Sequence, residues 1–451
     1  MPSGRFESIA MKQRSGVTVS KSTLFSWLGY IFFFLMLVLP TTYQLERGVC
    51  LAVLLFYGAA FAMFGGLRIV PQVILWTFVT LIASSFFMLL GAFNDAPGAL
   101  RVGTVFVLWP IVYFLFIGIL HQTEKISPFY HVILAAVVVS SIMGVMVVAE
   151  KMFGVNLVLS AIFEAQGASF GLYDGVVEYR LYNTTTVIYG LPFLLAAIFL
   201  PKEQSPFRGR WRGVALVALC LSIIILLVSG RRAFWLIAGI SPVVVWVLMV
   251  TARIKTLNVR RVLLLTLLCF FLVAISPFFG IDLQRVWQEF LSAFDFSDIS
   301  NMSSYLRREQ FFALYAGWLD FPLIGNGLGA TASGSLRSVE QPWAYELSYM
   351  ALLFHTGLVG MLVYCSAVVW IFFKSIKVLR SCPDSVGLIL PALSGLACFL
   401  IANATNPYLA KFDYLWTLFL PIAVLNAYLL KGRRSILSSS TGTQESSCTI
   451  A

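Results

Sequence analysis

The residues able to do chemistry in this chain are arginines and one carboxylate. Arg231 and Arg232 stand side by side in Val228-Ser-Gly-Arg-Arg-Ala-Phe-Trp235, Arg307 and Arg308 open a second polar segment, and Glu346 sits in Gln341-Pro-Trp-Ala-Tyr-Glu-Leu-Ser-Tyr349. A guanidinium is planar, permanently charged and able to hold two phosphate oxygens at once, so clustered arginines suit a phosphate-bearing ligand. A carboxylate facing such a cluster could take a proton from an attacking hydroxyl. Each has a plainer reading beside it: the Arg pair could snorkel to lipid headgroups, and Glu346 could simply complement a helix dipole.

The elements that must position these residues are membrane helices. Apolar residues make up 59% of the 451, and charged residues only 11%. The mean hydropathy is +0.89. A soluble domain carries about 25% charged residues, and alternating barrel strands are absent. Continuous apolar runs predict about twelve transmembrane helices. They are Leu24–Pro40 (uncleaved), Val49–Gly65, Val73–Ala92, Val102–Leu120, Tyr130–Ala149, Tyr182–Leu200, Val214–Ser229, Ala233–Val250, Val262–Phe279, Glu346–Phe373, Val386–Ala404 and Tyr414–Leu430. The expected class is an all-α polytopic membrane protein.

Twelve spans put both termini on one side, and the charges say which. If the N terminus is cytoplasmic, that side takes 20 of the 31 basic residues with five acids, and the other side takes 11 basic residues with 15 acids. The positive-inside bias therefore predicts an N-in/C-in arrangement, and the net charge of +11 belongs to cytoplasmic loops rather than to a nucleic-acid surface. Arg231 and Arg232 then lie on the outer side, against that bias. This weakens the snorkelling reading and favours a ligand.

The expected organisation is a cytoplasmic tail over 1–23, helices 1–5 over 24–149, an outer loop over 150–181, and helices 6–9 over 182–279. A large outer loop over 280–345, helices 10–12 over 346–430 and a second tail over 431–451 complete it. Three parts of the large loop are readable. Leu283 to Phe294 has the pattern of an amphipathic surface helix. Asp295-Phe-Ser-Asp298 lacks a third ligand nearby and reads as a turn with a cap rather than a metal site. Ser303 or Ser304 can cap a helix from Tyr305 to about Leu319, with Arg307, Phe311, Leu314 or Tyr315, and Trp318 on one face against the protein. Arg308 lies about 100° away, toward solvent. Asp320-Phe-Pro-Leu-Ile-Gly-Asn-Gly-Leu-Gly329 fits a tight turn better than a phosphate cradle, because no strand precedes it and no Lys-Ser/Thr follows. Glu346 should fall in the first turn of the next span with Tyr349 on the same face, and His355 deeper, as a packing histidine.

Together these segments resemble the O-antigen polymerase and O-antigen ligase family. "LLVSGRRAFWLIAGI" is similar to its Ser-Arg loop, "YLRREQFFALYAGWLDFPLIGNGLGA" to its Arg followed by a Pro-Leu-Ile-Gly-x-Gly turn, "ELSYMALLFHTGLVG" to the helix after its large loop, and "YRLYNTTTVIYGLPFLLA" to its Arg/Asn segment. The resemblance covers roughly residues 175–375. Ligases of the family carry a His where Glu346 stands, which points toward the polymerases.

The resemblance implies a GT-C-like membrane glycosyltransferase of the bacterial inner membrane. It would join undecaprenyl-diphosphate-linked oligosaccharide repeat units, as donor and acceptor, at the periplasmic face, with inversion and without metal or cofactor. A chain-length regulator would be its protein partner. The expected catalytic set is Glu346, Arg231, Arg232 and Arg307, and the expected substrate-binding set is Arg180, Arg308, Tyr349 and Asn183. An O-antigen ligase acting on lipid A-core is the alternative. A GT-C enzyme with a monophosphate donor would rest instead on an acid in the first outer loop, where Glu46 stands beside Arg47. A secondary transporter would favour broken helices, charges at mid-membrane depth and paired repeats, and the apolar runs show none of these.

Overall fold

The computed structural model describes residues 25–153, 162, 164, 166–167, 169–173, 176–229, 231–254, 302–334 and 339–439. The predicted span Val262–Phe279, the segment 283–298 and both tails lie largely or wholly outside these. In chain order the helices are α1 Phe25–Val38, α2 Gln44–Met63, α3 Pro71–Phe93, α4 Ala99–Ile119 and α5 Thr123–Phe153. Then come α6 Thr184–Phe199, α7 Arg210–Val228, α8 Arg232–Thr251, α9 Met302–Asp320, α10 Ser348–Ser381, α11 Val386–Asn403 and α12 Trp416–Ser439. Among the described residues nine helices are long and apolar enough to cross a membrane, and α1 and α6 are shorter apolar helices. The chain is a multi-pass helical membrane protein. Every predicted span within the described residues coincides with one of these eleven helices.

Local sequence explains several boundaries. Pro71 begins α3, where its missing N–H is no loss. Within α4, Pro110 cannot donate to the preceding turn, and a π turn at Thr104–Leu108 absorbs the irregularity just before it. One small element is not helical: β1 Ser169–Tyr173 and β2 Val176–Arg180 form an antiparallel hairpin in the segment before α6, with Ser169 opposite Arg180.

α6 and α11 form the centre of the bundle. Nearly every residue of each is buried, so their apolar surface meets helices rather than lipid. Small residues let them close: a side chain at Gly395 would strike the Tyr189 ring, and one at Gly190 would strike Val137. Tyr189 donates to the Ala392 carbonyl at 3.1 Å, and Tyr130 donates to Leu388. The outer helices instead expose large apolar side chains such as Phe56, Phe78 and Leu89, as lipid-facing surfaces do.

The helix ends sort into two opposite ends of the bundle. At one end Arg47 meets Asp413, Arg231 meets Asn406, Asn94 meets Asn326, and Arg307 meets Glu346. At the other end Asn426 meets Arg68 and Val70, Arg380 meets Thr251, and Lys431 meets Asp384. Apart from Asn426, which the sequence places inside the last span, each of these pairs joins residues predicted to share a membrane side.

α10 is broken. Gly357 has φ 59° and ψ −168°, a conformation open to glycine alone, in the middle of its 34 residues. The glycine-rich turn after α9 enters the break. Asn326 N and Gly327 N donate to the freed carbonyls of Phe354 and His355, and Leu358 N and Val359 N donate to Pro322 O and Leu323 O. A Cβ at Gly357 would lie 2.3 Å from Leu323 O. Backbone is thus satisfied by backbone inside the apolar layer. His355 is buried and bonds Ala330 O through Nε2 at 3.1 Å.

Two expectations need correction. The face of α9 that packs inward carries Gln310, Leu314 and Gly317, whereas Phe311, Phe312 and Tyr315 are exposed. Apolarity was a poor guide there, because aromatic side chains are also stable at a membrane interface. Glu346 precedes the helix instead of starting it. Leu347, at φ −81° and ψ 77°, holds the chain out of helical conformation until Ser348.

Candidate functional site

The cluster at the Arg231 end is built from four short connections. Ser229 closes α7, donating its hydroxyl to Leu226 O at 2.6 Å and accepting Arg231 N at 3.3 Å. The hairpin docks on this turn: Tyr179 N donates to Ser229 O, and the Tyr179 hydroxyl donates to Ile225 O at 2.8 Å. Trp235 Nε1 donates to Leu227 O at 2.8 Å and ties the start of α8 to the end of α7. Arg231 is thereby held just outside α8, in extended conformation. Its Nη2 donates to Asn406 Oδ1 at 3.3 Å, and its guanidinium lies 4.9 Å from the Phe234 ring centroid. Arg232 is the first residue of α8 and half-buried.

From the other side α9 brings Arg307. Its Nε donates to Glu346 Oε2 at 2.8 Å, with both side chains mostly buried. Gln310, one turn along α9 and buried, accepts both Glu346 N at 2.8 Å and Leu347 N at 3.0 Å. One helix therefore fixes the backbone and the carboxylate of Glu346 together.

Tyr408, two residues past Asn406, lies in the connection between α11 and α12. Burial pushes its phenol above the usual range, Arg231 pulls it down, and Glu346 pushes it further up. Its hydroxyl is buried with no hydrogen-bond partner among the described residues. Asn403 Oδ1 accepts Leu409 N at 2.9 Å and shapes the turn that carries Asn406 and Tyr408. Sequence reasoning missed Asn406, Tyr408 and Gln310. The Asn-Pro pair at 406–407 marked a turn, but nothing in the sequence marked its partners.

The remaining expected residues fall around this cluster. Arg180 ends β2 directly after Tyr179, and its side chain lies outside the description. Arg308 is half-buried, 3.9 Å from Glu309 and 5.5 Å from the Tyr305 ring. Tyr349 donates its hydroxyl to Leu400 O at 2.6 Å and so ties α10 to α11. Asn183 is fully buried, with Nδ2 3.5 Å from the Met143 sulfur. The structure thus pairs Arg307 with Glu346 and seats Arg231 on Asn406, with Arg232 next to Arg231. It seats Tyr349 and Asn183 in contacts with the helix core.

Chemically, the arrangement offers strong cationic hydrogen-bond donors and a carboxylate whose orientation is already set. That combination can neutralise an anionic leaving group and accept a proton on one side of it. Scanned against protein-family models and against curated proteins, the chain gives no match.

Proposed function

We propose that this protein is a metal-independent, inverting glycosyltransferase that polymerises undecaprenyl-diphosphate-linked oligosaccharides at the periplasmic face of the bacterial inner membrane. The observation that carries this reading is the Arg307–Glu346 ion pair, with a second arginine, Arg231, held on Asn406 at the same end of the bundle. A hydroxyl of the acceptor glycan attacks the anomeric carbon of the donor, and its proton passes to Glu346. The bond from that carbon to the diphosphate oxygen breaks, and its electron pair leaves with undecaprenyl diphosphate. Arg231, Arg232, Arg307 and Arg180 neutralise the departing oxygens. Arg307 holds the carboxylate through Nε alone in the described contacts, so its Nη groups can serve the phosphate while Nε keeps Glu346 aligned.

The break in α10 favours a second reading, a transporter, because discontinuous helices often line transport sites. In this chain the freed carbonyls of Phe354 and His355 are taken by Asn326 N and Gly327 N. That leaves those two oxygens poorly placed to bind a transported ion.

The deciding experiment is an electrophoretic ladder of surface lipopolysaccharide from a strain lacking the gene. Core plus a single repeat unit is the expected pattern. Bare core with accumulated lipid-linked polymer would indicate a ligase, and an unchanged ladder would argue against both.

A further inference from the structure

A second site lies at the same end of the bundle, on the far side of the connection between α11 and α12. Arg47, in the first turn of α2, is 6% exposed and donates Nη1 to Asp413 Oδ1 at 2.6 Å. Its Nε and Nη2 have no hydrogen-bond partner among the described residues. The other oxygen of Asp413 accepts Thr41 N at 3.0 Å, so that carboxylate is already engaged. Around them Thr41 Oγ1 and Gln166 Oε1 are also buried without partners, and Gln166 Nε2 donates to Thr42 Oγ1 at 3.1 Å. Arg47 and Asp413 thus form a buried ion pair, and Glu46, the acid next to Arg47 in the chain, is exposed. The connection into α2 is strained as well, with Thr41 at φ 63° and Tyr43 at φ 50°, and such strain persists where the surroundings hold it for a purpose.

Beneath this polar head runs a cleft between α1, α2, α4 and α12, lined almost wholly by apolar side chains. Its walls include Phe32, Phe33, Leu51, Trp109, Tyr113 and Phe419, and it encloses a cavity of about 100 Å³ that opens to the surroundings. Two stacked pairs stiffen it, Trp109 on Phe412 and Tyr113 on Phe419, each with centroids 4.6 Å apart. Two residues join the two parts: Leu51, one turn after Arg47 on α2, lines the cleft, and so does Trp109, which stacks on Phe412 next to Asp413.

We infer that Arg47 and this cleft form a binding site for an anionic lipid, with one hydrocarbon chain among the aromatic rings and the phosphate on the unpartnered guanidinium nitrogens. A phosphate matches the guanidinium fork and supplies the acceptors these donors lack. The cleft supplies apolar, preformed walls for part of a hydrocarbon chain, whose remainder can stay in the bilayer. This inference stands apart from the proposed transfer reaction and uses none of its residues.

The test is native mass spectrometry of the full chain in detergent, with dioleoyl phosphatidylglycerol and dioleoyl phosphatidylcholine as probes. The wild type should retain the anionic lipid at least about tenfold better than the zwitterionic one, a difference of about 1.4 kcal/mol. The paired substitution Arg47→Gln with Asp413→Asn keeps shape and neutrality and should abolish that preference. Gly29→Leu is the independent arm. Gly29 lines the cleft and a Cβ there meets nothing within 4 Å, so the variant should fold and yet lose both lipids. Equal retention of the two lipids by the wild type, or undiminished binding by Gly29→Leu, would overturn the inference. So would thermal stabilisation by inorganic phosphate that is equal in wild type and Gly29→Leu and accompanied by no lipid adduct, since that outcome means an anion site without a lipid.

Discussion

Arginines stand at both ends of this bundle, and their partners differ. At the Arg380 end they meet backbone: Arg212 Nη2 reaches the Ile198 and Leu200 carbonyls at 2.7 and 3.0 Å, and Arg380 reaches Thr251 O through Nε at 2.9 Å and Nη2 at 2.7 Å. Those carbonyls lie at the C-terminal ends of α6 and α8, where cations satisfy orphan acceptors and the helix dipole. At the Arg231 end they meet side chains: Asn406 for Arg231, Glu346 for Arg307, Asp413 for Arg47. A backbone carbonyl at a helix end is a fixed part of the fold. A side-chain partner can share its arginine with a ligand. The same residue type thus serves architecture at one end and is available for chemistry at the other.

Removing the acid at the chemical end should have the largest effect. Glu346→Gln keeps the contact with Arg307 as a hydrogen bond but cannot take a proton. It should slow transfer by about 10²–10⁴-fold in a purified assay with a lipid-linked repeat unit, and an unchanged rate would remove Glu346 from the reaction. Next is the break that sets the course of α10 below Glu346. Gly357→Ala forces a side chain into a glycine-only conformation and against Leu323 O. It should cost about 3–5 kcal/mol, read as a sharply lower thermal midpoint and less protein in the membrane.

Smaller effects belong to the architectural contacts. Arg380→Ala should lower stability by about 1 kcal/mol, seen as a shift of a few degrees in thermal unfolding, while leaving the transfer rate unchanged. Tyr349→Phe removes only the hydroxyl that tethers α10 to Leu400, at a cost of about 0.5–1.5 kcal/mol. A rise in KM in that variant without loss of stability would instead assign the hydroxyl to substrate.

Much of the fold was legible in the sequence because apolar run length fixes a membrane span almost by itself. The alternation of spans did as well: Arg380 with Thr251, and Lys431 with Asp384, fall on one side by that alternation and meet in the structure. Faces were harder. Of the stripe Arg307, Phe311, Leu314 or Tyr315, and Trp318 on α9, Leu314 is buried, but Phe311 and Tyr315 are exposed and Gln310 is buried instead, since interfacial aromatics and core aromatics read alike. The break at Gly357 was hidden for a related reason. A glycine within a span is common, and only the glycine-rich turn that fills the gap distinguishes this one. Within the site, Arg231, Arg307 and Glu346 announced themselves as charges in an apolar chain. Asn406, Tyr408 and Gln310 did not, because uncharged polar residues in short connections carry no signal until the fold brings them together.

The most direct test of the contrast between the two ends is parallel complementation of the gene-deletion strain with Arg307→Ala and Arg380→Ala, each quantified in the membrane and scored on the lipopolysaccharide ladder. The account predicts that Arg380→Ala restores the full ladder and that Arg307→Ala, at equal membrane abundance, leaves core with one repeat unit. A full ladder from both variants would contradict it.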